Sequence, residues 1–144
     1  MSGDVKSEIF QVTDCPVPRG EGNHHEGVDA LLKLMADHGL KFYASNGDTG
    51  LGGPEGLIEA SDVVLVKVNA QWKYRGCTNS DVVRGLIQAI LEHPDGFSGE
   101  VIIIENGQSG GSLDCDTMWG RQYTDTGVHA NAEDEAHSFS YLVN

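Results

Sequence analysis

Two kinds of hydrophobic pattern organise the chain. Val63, Val64, Leu65 and Val66 form an unbroken, mostly β-branched run, and Val101 to Ile104 form another. Such runs suit strands buried on both faces, as in a parallel sheet. Two other stretches repeat with a helical period. Val28, Leu31, Leu32 and Met35 fall at i, i+3, i+4 and i+7, which predicts a helix over Glu26 to His38 with Gly39 at its C′ position. Val83, Leu86, Ile87, Ile90 and Leu91 make a second stripe, with Asp81, Arg84, Gln88 and Glu92 facing away from it. Thr78-Asn79-Ser80-Asp81 reads as a capping-box variant that starts this helix, and His93-Pro94-Asp95-Gly96 stops it.

Shorter signals fill the gaps. Ile9 to Thr13 alternates like a strand, and Lys41 to Ser45 reads as another. A glycine-rich loop from Asn46 to Gly53 leads into Pro54, which suits the first position of a short helix to Ala60. Gly50, Gly52 and Gly56 match only part of a dinucleotide fingerprint, with one residue too many between the last two. Ala132 to His137 suits a helical turn, and Ser138 to Val143 reads as a final strand. The order β-α-β-α-β-α-β with short connections predicts an α/β fold: a mostly parallel, Rossmann-like sheet with helices on both faces. The whole chain, 1–144, is read as one domain, clearest over 9–107. A strand at its extreme end leaves an edge to cover, so a piece of a larger domain is expected.

Charge narrows the function. The 144 residues carry a net −13, which argues against nucleic acid or an anionic membrane as partner. The N-terminus has no apolar signal region, and the longest aliphatic runs are four residues, too short to span a membrane. Cys15, Cys77 and Cys115 are odd in number and widely spaced. They make a poor disulfide framework and suggest a reducing, cytoplasmic setting.

Against this acidic background, residues 67–84 hold four of the nine basic residues (Lys67, Lys73, Arg75, Arg84) and one acid, Asp81. Ligands in open α/β sheets sit outside the carboxyl ends of strands. Lys67 and Asn69 share a face at such an end, and the loop beyond supplies Trp72, Lys73, Tyr74, Arg75 and Cys77. An anionic small molecule is therefore expected there, with Lys67, Lys73 and Arg75 holding it and Asn69, Thr78 and Asn106 orienting it. Glu105 ends the later strand; with Lys67 it offers either acid–base chemistry or a plain ion pair. Cys77 lies just before a helix start and near Arg75, which favours thiolate, so it is a candidate nucleophile or ligand. The alternative is a solvated loop, or a non-catalytic protein-interaction domain using Trp72, Tyr74 and Arg75, the residue types of interface hot spots.

Other chemistries are weaker. His24, His25, Asp114, Cys115, Asp116, His129 and His137 include metal-ligating types, but no spacing is diagnostic of a metal. No C-x-x-C, Walker loop, G-x-S-x-G or H-E-x-x-H is present. The stretch N-G-Q-S-G-G-S from Asn106 offers backbone amides for phosphate without a convincing helix behind it.

V-V-L-V-K-V-N, then G-C-T-N-S-D-V-V-R-G-L-I, then V-I-I-I-E-N-G, resembles domain-of-unknown-function family 362 over about Asp62 to Gly107. Lys67, Asn69, Thr78, Val83, Arg84 and Glu105 occupy the family's pattern. The resemblance implies an α/β domain with a metal or phosphorylated cofactor at the strand ends, through a distant similarity to the nickel-pincer lactate racemase fold. Many members also carry a ferredoxin-type four-cysteine motif. This chain lacks it, so the resemblance implies no electron-transfer role.

Overall fold

The structure, a computed structural model, describes residues 7–15, 22–70, 77–105, 130–134 and 136–143. It is a mixed α/β fold. Helix α1 covers Glu26–Asp37, and strands β1 (Tyr43–Ala44) and β2 (Gly52–Gly53) follow. Strand β3 (Val63–Lys67), helix α2 (Ser80–Leu91) and strand β4 (Glu100–Ile104) form a βαβ unit, and α3 (Phe139–Leu142) comes last. Among the described residues the strands make two parallel pairs, β1 with β2 and β3 with β4, not one continuous sheet. In the larger pair Val63 lies opposite Glu100 and Lys67 opposite Ile104.

The two long helices form where the apolar stripes predict them. Helix α1 begins at His25, whose Nδ1 accepts from the Val28 amide at 3.3 Å. It ends before Gly39, which takes φ +89°, a value that favours glycine. Helix α2 is capped by Asn79, not Thr78: Asn79 Oδ1 accepts from the Val82 amide at 3.0 Å. Any alanine at position 85 would place its Cβ 2.4 Å from the His25 Cβ. Gly85 thus lets α2 approach the start of α1 closely.

The inner face of β3–β4 makes the core. Val64 and Val101 pack with Ala89, Ile90, Leu32, Phe42 and Tyr43. Val66 and Ile103 pack with Val68, Val83 and Phe139. Ile90 is 1% exposed, and burying a side chain of that size stabilises by about 1.5–3 kcal/mol.

Several sequence expectations are corrected. Residues 9–13 form no strand: among the described residues their backbone pairs with no neighbouring strand, and alternation alone does not supply one. Residues 54–60 form turns and a bridge from Ile58 to Tyr43 instead of a helix, because the Ile58 backbone is taken up in both directions by Phe42 and Ala44. Ser138 to Val143 is not a strand. Ser138 caps the short helix α3 by accepting from the Tyr141 amide. The aliphatic run of β3 is not buried on both sides. Val63 and Leu65 are 60% and 59% exposed, since among the described residues the outer face has no covering layer.

Candidate functional site

Parallel pairing brings the ends of β3 and β4 side by side. Lys67 and Ile104 are partners, and the Val68 amide donates to the Ile104 carbonyl at 3.0 Å. That register sets Glu105 beside Lys67. The Lys67 ammonium donates to Glu105 Oε2 at 3.0 Å and also to the Val68 carbonyl. The same Oε2 accepts from the Ala70 amide at 3.1 Å. The Glu105 side chain is only 7% exposed, whereas Lys67 is 58% exposed. A buried carboxylate is costly unless paired and hydrogen-bonded, and here it is both. The ammonium still faces water, so an incoming anion can reach it.

Asn69 and Thr78 close the loop that follows. The Asn69 amide donates to Thr78 Oγ1 at 2.8 Å, and the Thr78 amide donates to the Asn69 carbonyl at 2.7 Å. Two reciprocal bonds across nine residues make a narrow neck. Thr78, expected to orient a ligand and cap the helix, is therefore the latch of the loop. The structure brings Lys67, Asn69, Thr78 and Glu105 to one strand edge. Lys73, Arg75 and Asn106, together with Trp72 and Tyr74, lie outside the described residues. Among the described residues β3 and β4 alone supply this edge, because residues 9–13 form no strand and β1 belongs to a separate pair.

Cys77 does not fit the role of nucleophile. It is 6% exposed and disulfide-bonded, so its sulfur offers no thiolate. That bond also runs against the reading of the cysteines as reduced thiols. Sequence spacing does not show which distant loops the fold brings together. Cys15 is free and exposed. Among the described residues no group of three or more metal-ligating side chains is arranged to hold a metal. His25 caps α1, and His24 bridges Asp29 at 3.6 Å and Glu92 at 3.0 Å.

Sequence reading missed the role of Asp81. It was expected to face away from the core, yet it is 3% exposed. Its Oδ2 accepts from the Glu133 amide at 2.7 Å, and its Oδ1 lies 3.4 Å from the Arg84 guanidinium. Nearby, Ser80 donates to the His137 carbonyl and Asn131 to the Cys77 carbonyl. The start of α2 thus fastens Asn131, Glu133 and His137. The i, i+3 spacing of Asp81 and Arg84 was the available signal.

A cavity of about 400 Å³ opens between α1, β1 and the end of α2, lined by Asp29, Leu32, Tyr43, Leu51 and Glu92 among others. The Tyr43 hydroxyl donates to the Ala89 carbonyl at 2.7 Å. Burial, and then the charges of Glu92 and Asp29, raise its pKa above the ordinary 10.0. Each of these causes disfavours phenolate there.

Fold and site together define a mixed α/β protein with a polar, cation-bearing strand edge. No family model, curated protein or solved structure matches the chain. No helix among the described residues is long and apolar enough to cross a membrane.

Proposed function

We propose that the carboxyl edge of β3 and β4 binds an anionic small molecule, such as a phosphorylated compound, a small carboxylate or a phosphorylated or metal-bearing cofactor. The supporting observation is the half-exposed Lys67 ammonium, held at a strand end by a buried Glu105. Glu105 fixes the ammonium in place, and a ligand anion approaches it from the solvent side. Asn69 and Thr78 hold the neck of a loop that carries Lys73 and Arg75 in sequence. Glu105 is the group for proton transfer if the bound molecule reacts. The proposal extends to a Rossmann-like sheet of the kind found in domain-of-unknown-function family 362, whose sequence pattern Lys67, Asn69 and Glu105 share.

Thermal melts with inorganic phosphate, nucleotides and small carboxylates test the reading. A ligand that binds only the folded state raises the midpoint. Wild type is expected to gain stability with one of these classes, and Lys67→Ala to lose most of that gain. An equal gain in both proteins contradicts the proposal.

A second reading, distinct from contact through the loop with Trp72, Tyr74 and Arg75, is self-association through the outer sheet face. Val63, Leu65 and Ile104 are exposed there, with Lys67 at one end and Glu100 at the other. A second copy turned end for end over this face brings each Lys67 towards the other's Glu100 and covers the apolar strip. Size-exclusion chromatography tests it. A dimer converted to monomer by Leu65→Asp supports this reading, and a wild-type monomer excludes it.

A further inference from the structure

Helix α2 presents Arg84, Ile87, Gln88 and Leu91 along one face, at i, i+3, i+4 and i+7. Tyr141 and Leu142 of α3 stand opposite, and between them lies a cavity of about 370 Å³. Its wall is largely apolar, from Ile87, Leu91 and Leu142, and among the described residues a single cation, Arg84, sits in it.

That cation is under-used. The Arg84 side chain is 18% exposed, and its Nε is buried with no hydrogen-bond partner. Its one contact with an acid among the described residues is the 3.4 Å approach to Asp81 Oδ1, longer than the roughly 2.7–2.9 Å typical of a charge-assisted hydrogen bond. Asp81 is already engaged by the Glu133 amide. A guanidinium has five donors in a planar fork that matches a carboxylate. Leaving the buried Nε without an acceptor is unfavourable, and a carboxylate in the cavity supplies one to the guanidinium.

We propose that this cavity binds a small monocarboxylate with an aromatic or branched aliphatic body, its carboxylate on Arg84 and its body against Ile87, Leu91 and Leu142. One charge is the right number. Asp81 already offsets part of the Arg84 charge, and among the described residues no second cation lines the cavity to meet a second negative charge. The Tyr141 ring forms one wall. Its plane is held by stacking on His137 at 4.5 Å and 17°, which suits it to lie against an aromatic body. This site is separate from the strand edge and does not depend on the proposal made for it.

Benzoate is the probe, titrated into the full chain and followed by heteronuclear NMR, with acetate and inorganic phosphate as controls. Benzoate is expected to shift the methyl signals of Ile87, Leu91 and Leu142 at millimolar concentration. Acetate is expected to bind at least tenfold more weakly, and phosphate to leave these signals unmoved. Lys67→Ala should bind benzoate as wild type does. Arg84→Gln should weaken it at least tenfold, and Tyr141→Ala, which alters a residue 56% exposed, should weaken it several-fold with the fold kept. No shift of these methyls in wild type overturns the proposal. So does unchanged affinity in a folded Arg84→Gln. If Arg84→Gln fails to fold, the wild-type shift map and Tyr141→Ala decide, and shifts confined to Lys67 and Ala70 also overturn it.

Discussion

Among the described residues, two ion pairs join a cation to a buried carboxylate, and they are built in opposite ways. At the strand edge, Glu105 is buried and Lys67 is half-exposed, and the ammonium donates to both the carboxylate and the Val68 carbonyl. On α2, Asp81 and Arg84 are both largely shielded, at 3% and 18% exposure, and the guanidinium makes no close hydrogen bond to its partner. The first pair is well bonded and still reachable from water. The second is largely shielded from water and short of acceptors, with its guanidinium bordering a cavity. The contrast shows why an ion pair alone does not mark a site: what matters is which partner keeps unsatisfied donors or open access.

The contrast breaks first at Asp81. Removing one member of a buried pair leaves an uncompensated charge, which typically costs about 3–5 kcal/mol. Asp81→Ala also strips the Glu133 amide of its acceptor. Among single substitutions at the two pairs it is expected to be the most destabilising, measured by urea unfolding. Glu105→Ala comes next. It frees Lys67, which can return to water, and leaves the Ala70 amide without the Oε2 acceptor, at a cost of about 1–3 kcal/mol. If Glu105→Ala costs more than Asp81→Ala, the ordering of the two pairs is wrong.

Tyr43 gives a smaller and pH-dependent effect. Tyr43→Phe loses the bond to the Ala89 carbonyl, about 1 kcal/mol. Its folded pKa is raised above 10.0 by burial and by Glu92 and Asp29. The hydroxyl therefore contributes fully below pH 10.0, and that contribution is lost as pH rises through the folded value. The alkaline decline in stability is expected to be shallower in Tyr43→Phe than in wild type. Parallel declines in unfolding titrations contradict the assignment.

The smallest effect lies at the surface. The Lys33 ammonium donates to Asp37 Oδ2 at 2.6 Å and, chiefly through that bond, holds the Asp37 carboxyl below the usual 3.8. A lowered acid contributes stability above its unfolded pKa and loses it as pH falls through the folded one. An NMR titration of Asp37 is expected to move back towards 3.8 in Lys33→Ala, with little change in the melt.

The two long helices and the two long strands were legible in residue order, because stripes at the helical period and aliphatic runs are local signals. Lys67, Asn69 and Glu105 could be placed at strand ends for the same reason. What was missed depends on partners far along the chain. Asp81 lies off the apolar stripe of α2, yet it is buried, and the Glu133 amide from far along the chain donates to it. Ile9 to Thr13 alternates correctly yet finds no strand beside it among the described residues. Ser138 to Val143 is short enough to serve either structure, and the Ser138 cap decides for helix. The exposed outer face of β3 likewise reflects which layers assemble around it, and residue order does not report that.

The most direct test of the strand-edge proposal is an NMR titration of the chain with inorganic phosphate, read at the backbone amides of Asn69, Ala70 and Thr78 and at the Lys67 ammonium. Saturable shifts at these positions, lost in Lys67→Ala, are the predicted result. If phosphate leaves them unmoved, or moves them equally in Lys67→Ala, the Lys67–Glu105 pair is structural and the strand edge is not the phosphate site.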